Sequence, residues 1–358
     1  MISPIRVEVS AAALRHNLAR IRQVAPSSRV MAVVKANAYG HGLVQVAQCF
    51  ADVDAFGVAR LPEALALRAA GVRQPVVLLE GVFDAAQLIE ALRHQLQIIV
   101  HCEEQLALLE QAPADATFTV WLKIDTGMNR LGFRPEQVRA VLQRIDALGG
   151  RVSVLRVLTH FASADEPEDP MTARQVASFD ALTGQRSWER SLCNSAGVFA
   201  QPAAHAQWVR PGLALYGVSP FTELLGTQLG LVPAMRLVST VIALRTVRKW
   251  ECVGYGCSWR ATRDTRVAII AAGYGDGLPR MLPSGTPVLL GGKRAALVGR
   301  VSMDMLAVDV TAAPAVRVGD EVVLWGGSLP VEEIAAHAGT IAYELLCGVS
   351  QRVPLAIV

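Results

Sequence analysis

The sequence predicts an α/β fold: an N-terminal (β/α)8 barrel of the TIM type, followed by a mainly β C-terminal domain. Eight short apolar runs alternate with helical patterns along the N-terminal part of the chain. From about residue 232 this alternation gives way to strand-like runs separated by Gly, Pro and Asp. We therefore expect two domains, residues 1–231 and 232–358.

The eight apolar runs are the predicted barrel strands. Segments between them, such as 62–71 and 102–112, carry apolar residues at three- and four-residue spacing and read as helices. Strands that are apolar on both faces and joined by helices form parallel sheets, and eight such units favour closure into a barrel. An open, doubly wound sheet is the alternative. The runs are 29–35, 54–59, 75–80, 96–101, 117–125, 152–160, 190–194 and 207–210.

The C-terminal runs predict strands within 235–247, 265–277, 286–310 and 319–327, with a helix at 330–339.

The 358 residues are 52% hydrophobic and 18% charged, which suits a globular chain with two cores. A net charge of +3 without blocks of like charge argues against nucleic acid as a partner. Since no apolar signal core or membrane-length apolar span occurs, we expect a cytoplasmic protein with no membrane partner.

Cysteine usage predicts neither disulfides nor a metal. The six cysteines are dispersed through apolar surroundings and are expected to be buried thiols. The zinc-binding spacings CxxC and HExxH do not occur, so no metal is predicted.

Lys35 is the first candidate for chemistry, because it ends the first predicted strand. The active site of such a barrel lies at the carboxyl ends of its strands. A lysine in a nonpolar site can lose its proton and attack a carbonyl group to form a Schiff base. The alternative is a lysine whose ammonium group simply reaches water. The segment that follows, residues 36–42, contains two glycines and Tyr39 and could line a cofactor.

The segment AVVKANAYGHG, residues 32–42, resembles the cofactor-attachment segment of bacterial alanine racemases, a pyridoxal-phosphate-dependent family of fold type III. The resemblance covers nearly the whole chain, with its blocks in the family order. One departure is Leu278, where an aromatic residue is usual. The other matching blocks are VWLKIDTGMNRLGFRPEQ (120–137), HFASADEP (160–167), NSAG (194–197), WVRPGLALYGVSP (208–220), CVGYG (252–256), AAGYGDGLPR (271–280), VGRVSMDM (298–305) and IAYELL (341–346).

The resemblance implies pyridoxal 5′-phosphate as the cofactor, bound covalently by Lys35. It places Arg210 at the ring nitrogen, where most pyridoxal-phosphate folds use a carboxylate. Because arginine only donates hydrogen bonds, the ring nitrogen should stay unprotonated. His160 is implied as a neighbour of Arg210. The remaining implied cofactor contacts, mostly to the phosphate, are Tyr39, Asn194, Ser195, Gly212, Leu213 and Tyr343.

The resemblance also implies two proton-transfer bases, Lys35 and Tyr255, on opposite faces of the substrate's α-carbon. Because Tyr255 would reach the lysine of another subunit, the implied active unit is a head-to-tail homodimer. Met303 and Asp304 would cross the same interface to the substrate, a small amino acid whose carboxylate Arg130 would bind. The residues that the family places along the entry corridor are Asp165, Tyr274, Arg280, Arg300 and Ile341.

Lys123 is often carbamylated in the family, and a carbamate here would orient Arg130. A neutral Lys123 paired with Asp125 is the alternative. The implied reaction is interconversion of L-alanine and D-alanine. A broad-specificity amino acid racemase would keep the same chemical residues. A barrel-type decarboxylase would require a carboxylate in place of Arg210 and no Tyr255, and a non-catalytic cofactor carrier would need no C-terminal domain.

Overall fold

The computed structural model describes residues 3–358, which form 18 β-strands and 11 α-helices. The strands are β1 (Arg6–Val9), β2 (Arg29–Val33), β3 (Ala55–Val58), β4 (Val76–Leu78), β5 (Gln97–Val100), β6 (Phe118–Lys123), β7 (Val152–Leu158), β8 (Glu189–Ser191), β9 (Trp208–Val209), β10 (Met235–Val247), β11 (Cys252–Val253), β12 (Trp259–Arg260), β13 (Thr265–Ile270), β14 (Pro287–Leu290), β15 (Lys293–Leu297), β16 (Leu306–Asp309), β17 (Glu321–Trp325) and β18 (Leu355–Ile357).

The helices alternate with strands in the N-terminal part and are sparse in the C-terminal part. They are α1 (Ala11–Val24), the left-handed α2 (Lys35–Tyr39), α3 (Leu43–Cys49), α4 (Leu61–Ala69), α5 (Ala85–Arg93), α6 (Glu103–Glu110), α7 (Val138–Ala147), α8 (Met171–Thr183), α9 (Ser195–Ala200), α10 (Val331–Ala338) and α11 (Ala342–Gly348).

Strands β2 to β9 form a closed parallel barrel, with β9 pairing to β2. Each of the eight predicted runs overlaps one of these strands, so the barrel is confirmed and the open sheet is excluded. Its interior is a packed core, as in other barrels of this kind. The side chains that fill it are Met31, Ala55, Val77, Ile99, Trp121, Leu158 and Trp208.

Amphipathic helices cover the outside of the barrel. In α7 the buried residues Val138, Val141, Leu142 and Ile145 recur at the spacing of one helix face. Burying this stripe against the strands removes apolar surface from water and directs each chain segment back to the bottom of the barrel. The carboxyl ends of all eight strands therefore meet at one rim.

The second sheet has eight strands in the order β13-β16-β15-β14-β17-β10-β1-β18, and β10 also pairs with β13. The predicted C-terminal strands are confirmed. The sequence patterns did not predict β1, which pairs antiparallel with β10 and parallel with β18. The first strand of the chain thus belongs to the C-terminal sheet. The division at residue 231 stays a prediction.

The expectation of six buried thiols holds for Cys193 alone; Cys49, Cys102 and Cys252 are only partly buried, and the expectation is wrong for Cys257 and Cys347, which are exposed. Cys257 lies in the turn between β11 and β12, and Cys347 lies near the end of α11, so neither belongs to a sheet core. Of the helices in residues 3–358, none combines the length and the apolar character needed to cross a bilayer.

Candidate active site

A cavity of about 470 Å³ opens at the carboxyl rim of the barrel, a volume typical of small-molecule sites. Lys123 ends β6, while Lys35 and His160 each stand two residues beyond a strand. The strand ends thus deliver polar side chains to one place. The cavity is lined by eleven of the residues singled out from the sequence: Lys35, Tyr39, Lys123, Arg130, His160, Asn194, Ser195, Arg210, Gly212, Leu213 and Tyr343.

The backbone after Lys35 is left-handed. Ala36, Asn37, Ala38 and Tyr39 have φ angles of 54, 54, 53 and 52°, and none of them is glycine. The left-handed helical conformation costs roughly 1–2 kcal/mol per residue with a Cβ atom. Such a turn persists only when its surroundings impose it. It carries the chain from Lys35 to Tyr39 within one helical turn, so both side chains line the same cavity.

Hydrogen bonds close this left-handed turn at its far end. The Asn37 Oδ1 atom accepts from Leu43 N at 2.8 Å, and the Asn37 carbonyl accepts from Gly42 N at 3.0 Å. His41 Nδ1 lies 2.8 Å from the Tyr39 carbonyl oxygen, so it carries a hydrogen and donates it. Burial lowers the pKa of His41 to about 4, so the His41 ring is neutral when it donates this hydrogen bond to the Tyr39 carbonyl.

Tyr39 is fixed by packing. Its ring centroid is 4.9 Å from that of Tyr216 and 5.8 Å from that of Tyr343. Burial, followed by the neighbouring Tyr343, raises the pKa of Tyr39, so its phenol stays protonated and can donate a hydrogen bond. Gly212 is required beside it, because a Cβ atom there would lie 2.4 Å from the Tyr39 hydroxyl oxygen. Tyr39, Ser195 and Gly212 thus form one side of the cavity.

Asn194 and Ser195 lie at the start of α9. Asn194 is the N-cap and accepts from Gly197 N at 2.9 Å. The Ser195 Oγ atom accepts from Gly212 N at 2.9 Å and from Ala214 N at 3.2 Å. With both interactions made as acceptor, the Ser195 hydroxyl still has its own hydrogen to donate into the cavity.

Arg210 is buried and held by several acceptors. Its Nη1 atom donates to Ser191 Oγ at 2.6 Å, and its Nη2 atom donates to the Thr159 carbonyl at 2.6 Å. Nη2 also lies 3.4 Å from His160 Nδ1. Burial lowers the pKa of Arg210 to about 10, so the guanidinium remains charged at neutral pH.

His160 is neutral. Burial lowers its pKa well below the ordinary value, and the nearby charge of Arg210 lowers it further. Because arginine can only donate, the His160 Nδ1 atom must accept from it and the ring hydrogen must be on Nε2. His160 therefore offers one N–H donor beyond Arg210.

Four cations surround the cavity, namely Lys35, Lys123, Arg130 and Arg210, and Glu80 is the one carboxylate among the described lining residues. Burial, followed by the charges of Arg210 and Arg130, lowers the pKa of Lys123 to about 8. Within residues 3–358 no hydrogen bond or ion pair joins Lys123 to Asp125, whose Oδ1 atom accepts from Gly127 N and Asn129 N at 3.0 Å each. The cavity thus suits an anionic ligand.

The remaining predicted site residues do not line this cavity. Tyr255 lies in a 3₁₀ turn, Tyr255–Cys257, and its side chain is 67% exposed. Met303 and Asp304 are exposed on the loop that precedes β16. Arg280 and Arg300 line a separate cavity of about 430 Å³. The other exposed members of the set are Asp165, Tyr274 and Ile341.

Several cavity-lining residues were not singled out in the sequence analysis, although Ala36 lies in the segment 36–42 that was expected to line a cofactor. Ala36, Ala59 and Glu80 follow the ends of β2, β3 and β4, so the rule that strand ends form the site could have indicated them. Cys347 comes from α11, the helix whose Tyr343 the resemblance assigned to the cofactor, but no sequence signal singled out the cysteine itself. The full set of additional lining residues is Val33, Ala36, Ala59, Leu79, Glu80, Ile99, Leu131, Leu158 and Cys347.

Comparison with known proteins agrees with this arrangement over the full chain. The family model for the alanine racemase N-terminal domain matches residues 9–220, and that for the alanine racemase C-terminal domain matches residues 234–357. An alanine racemase of Shewanella woodyi is 52% identical over 352 residues, which cover 98% of each chain.

Solved structures agree as well. The biosynthetic alanine racemase of Pseudomonas aeruginosa superposes with a TM-score of 0.96 at 46% identity and covers 100% of both chains. The alanine racemase of Acinetobacter baumannii superposes with a TM-score of 0.95 at 37% identity, again over 100% of both chains. Fold and cavity together define a two-domain barrel enzyme with its site at the strand ends. This chain belongs to the alanine racemase family.

Replacing Lys123 should reveal the cost of burying its charge. In CO2-free buffer, the stability of wild type should rise relative to Lys123→Met as the pH increases from 7 to 10. The folded pKa of about 8 lies below the ordinary 10.5, so the unfolded chain binds the proton more tightly and the penalty disappears as Lys123 deprotonates. The expected change is about 2 kcal/mol.

Chemical denaturation at each pH measures this difference, and Lys293→Met, at an exposed lysine, provides the matched control. A wild-type to Lys123→Met difference that stays constant from pH 7 to pH 10 would contradict the lowered pKa.

Proposed function

We propose that this chain interconverts L-alanine and D-alanine with pyridoxal 5′-phosphate as its cofactor. One observation carries the proposal: Lys35, Tyr39, Ser195 and Arg210, which the resemblance assigns to the cofactor, line one cavity at the rim of a closed barrel. The names of the relatives give the reaction and the substrate.

The residues present fit this cofactor. Lys35 lies two residues beyond the end of β2, at the cavity, and would supply an amine for a covalent bond to the aldehyde carbon. The Tyr39 and Ser195 hydroxyls, beside the close-packed Gly212, would donate hydrogen bonds to the phosphate, together with Tyr343 and the backbone at Leu213. The excess of cations over carboxylates around the cavity would stabilise the phosphate charge.

Arg210 would face the ring nitrogen. When bound, pyridoxal phosphate withdraws electrons from the substrate's α-carbon and so makes its proton easier to remove. The Arg210 guanidinium is fixed by Ser191 and by the Thr159 carbonyl and keeps its own protons at neutral pH. It would leave the ring nitrogen unprotonated. The proton would then return to the α-carbon and not to the cofactor. This favours racemisation over the barrel-type decarboxylase alternative.

Lys35 and Tyr255 would move the protons. Racemisation requires one group that removes the α-proton from one face and another that returns a proton to the opposite face. Lys35 would act from the barrel once the substrate has freed its amine. Tyr255 would act from the other side, with the His160 Nε2 hydrogen and Arg210 forming a chain of donors near its phenol oxygen.

Tyr255 would come from a second subunit. Its side chain is 67% exposed and stands apart from the cavity of its own chain. Met281, Met303 and Ile341 are likewise more than half exposed. A head-to-tail homodimer would bury them and bring Tyr255, Met303 and Asp304 to the partner's cavity. Tyr274, Arg280, Arg300, Asp165 and Ile341 would then border the entrance.

Arg130 would bind the substrate carboxylate through its planar guanidinium. Lys123 would be carbamylated, because a pKa of about 8 leaves about a tenth of its amine neutral at pH 7 and able to react with CO2. The resulting carbamate would put a negative charge between Lys35, Arg130 and Arg210, where the Lys123 ammonium would repel them, and it would orient Arg130.

We place the domain boundary between residues 231 and 232, with β1 crossing to the C-terminal sheet.

Cofactor attachment predicts one labelled peptide. After incubation with pyridoxal phosphate and reduction with borohydride, mass spectrometry should find the phosphopyridoxyl group on the peptide that contains Lys35. Lys35→Ala should abolish the label, because the other cavity lysine, Lys123, ends a different strand. Lys123→Met should retain it. A label on another lysine would contradict the assignment of Lys35.

The two-base arrangement predicts an asymmetric isotope pattern. In D2O, wild type should convert each alanine enantiomer to the other with deuterium at the α-carbon, and chiral separation with mass detection measures this. In Tyr255→Phe, racemisation should fall at least about 100-fold in both directions, because one face loses its base. Deuterium uptake without inversion should continue for only one enantiomer, the one whose α-proton faces Lys35. Equal uptake by both enantiomers would contradict the role of Tyr255.

A further inference from the structure

Glu63 connects the ends of two barrel strands. It is the third residue of α4 and is partly buried. Its Oε1 atom accepts from Ala36 N, just after Lys35, at 2.7 Å. Its Oε2 atom accepts from Ala59 N, just after β3, at 2.8 Å, and from Arg60 N at 3.3 Å. One carboxylate thus satisfies backbone donors on both strands.

Ala36 is the point where the chain enters the left-handed turn. Its φ and ψ are 54° and 53°, and the following residues continue this conformation to Tyr39. The far end of the turn is held by the hydrogen bond from Leu43 N to Asn37 Oδ1, and it ends at Gly40, where a Cβ atom would lie 2.0 Å from the Leu346 carbonyl oxygen. At the near end, the bond from Ala36 N to Glu63 is a charge-assisted hydrogen bond, among the stronger kinds in proteins.

We propose that Glu63 is a positioning residue for Lys35. By holding Ala36 N–H, its carboxylate keeps the left-handed turn in place and so sets the direction in which the Lys35 side chain leaves the end of β2 and its separation from Tyr39. This inference rests on the proposed role of Lys35 as the cofactor anchor. Glu63 itself touches neither cofactor nor substrate in this role.

The simpler alternative is that Glu63 only stabilises the start of α4. Gln105 does this for α6: it is also the third helical residue, its Oε1 atom accepts from His101 N at 3.0 Å, and its Nε2 atom donates to the Glu80 carbonyl at 2.9 Å. Both side chains connect neighbouring strand ends. Only Glu63 reaches the residue that follows Lys35, so Gln105→Ala is a matched control.

The experiment compares Glu63→Ala, Glu63→Gln and Gln105→Ala with wild type. Cofactor affinity is measured by titrating pyridoxal phosphate into each apoenzyme, attachment by borohydride labelling of Lys35, and order in the turn by hydrogen exchange of the peptide covering residues 34–42. Thermal unfolding reports general stability. We expect Glu63→Ala to bind the cofactor about tenfold more weakly, with faster exchange in that peptide.

Glu63→Gln should lie between Glu63→Ala and wild type, because its single amide oxygen can still accept from Ala36 N. In kinetics, Glu63→Ala should lower kcat more than it changes KM for alanine, since Arg130 is untouched. Gln105→Ala should lose thermal stability but keep wild-type cofactor affinity and wild-type exchange at residues 34–42.

Wild-type affinity and exchange in both Glu63 variants would overturn the proposal, as would an equal loss of affinity in Gln105→Ala. If Glu63→Ala does not fold, Glu63→Gln alone decides by the same criteria. Labelling of wild type on a lysine other than Lys35 would instead overturn the proposed function, so the two failures are distinguishable.

Discussion

Four consecutive residues after Lys35 lie in the left-handed region of backbone conformation, and the geometry of the cavity depends on their staying there. A right-handed helix from the end of β2 would place Tyr39 on a different side of the chain. The left-handed turn instead brings Lys35 and Tyr39 to one cavity, with Tyr39 against Gly212 and Tyr216. Its unfavourable backbone energy is offset by hydrogen bonds and packing that exist only in the folded barrel.

The second constraint is electrostatic. Lys35, Lys123, Arg130 and Arg210 share one small cavity; burial lowers the pKa values of Lys123, His160 and Arg210, and the neighbouring positive charges lower those of Lys123 and His160 further. An anionic phosphate and a substrate carboxylate would relieve this repulsion. Recognition and chemistry therefore depend on the same charges: the residues that attract the ligands also add to the burial that keeps His160 neutral and lowers the pKa of Lys123 to about 8.

Much of this architecture could be predicted from the sequence, because barrel strands that are apolar on both faces leave a regular pattern. All eight strands were found this way. The pattern could not predict that β1 joins the C-terminal sheet, because its partner, β10, lies more than 200 residues away and a local pattern carries no information about such a pairing. Nor could it predict the left-handed turn, because alanine and asparagine do not specify that conformation and only the tertiary contacts select it.

The candidate site residues fall into two groups: those that one chain brings together and those that it does not. Residues at strand ends, such as Lys35, Lys123 and Arg210, converge in one chain because the fold brings strand ends together. Several residues that the resemblance singled out in the β domain, namely Tyr255, Met303 and Asp304, are exposed and lie outside the cavity of their own chain, and under the proposed function Tyr255 would gain a catalytic position beside a second copy. Burial within one chain cannot reveal such residues. The resemblance named them, and their exposure is what the proposed homodimer requires, because a partner would cover them there.

The central claim is that each active site combines Lys35 of one subunit with Tyr255 of its partner. The most direct measurement mixes equal amounts of the inactive Lys35→Ala and Tyr255→Ala variants under conditions that exchange subunits, then follows alanine racemisation. Random exchange makes half of the dimers mixed, each with one intact site, so about a quarter of wild-type activity should return. A mixture that exchanges subunits yet remains inactive would contradict the shared site.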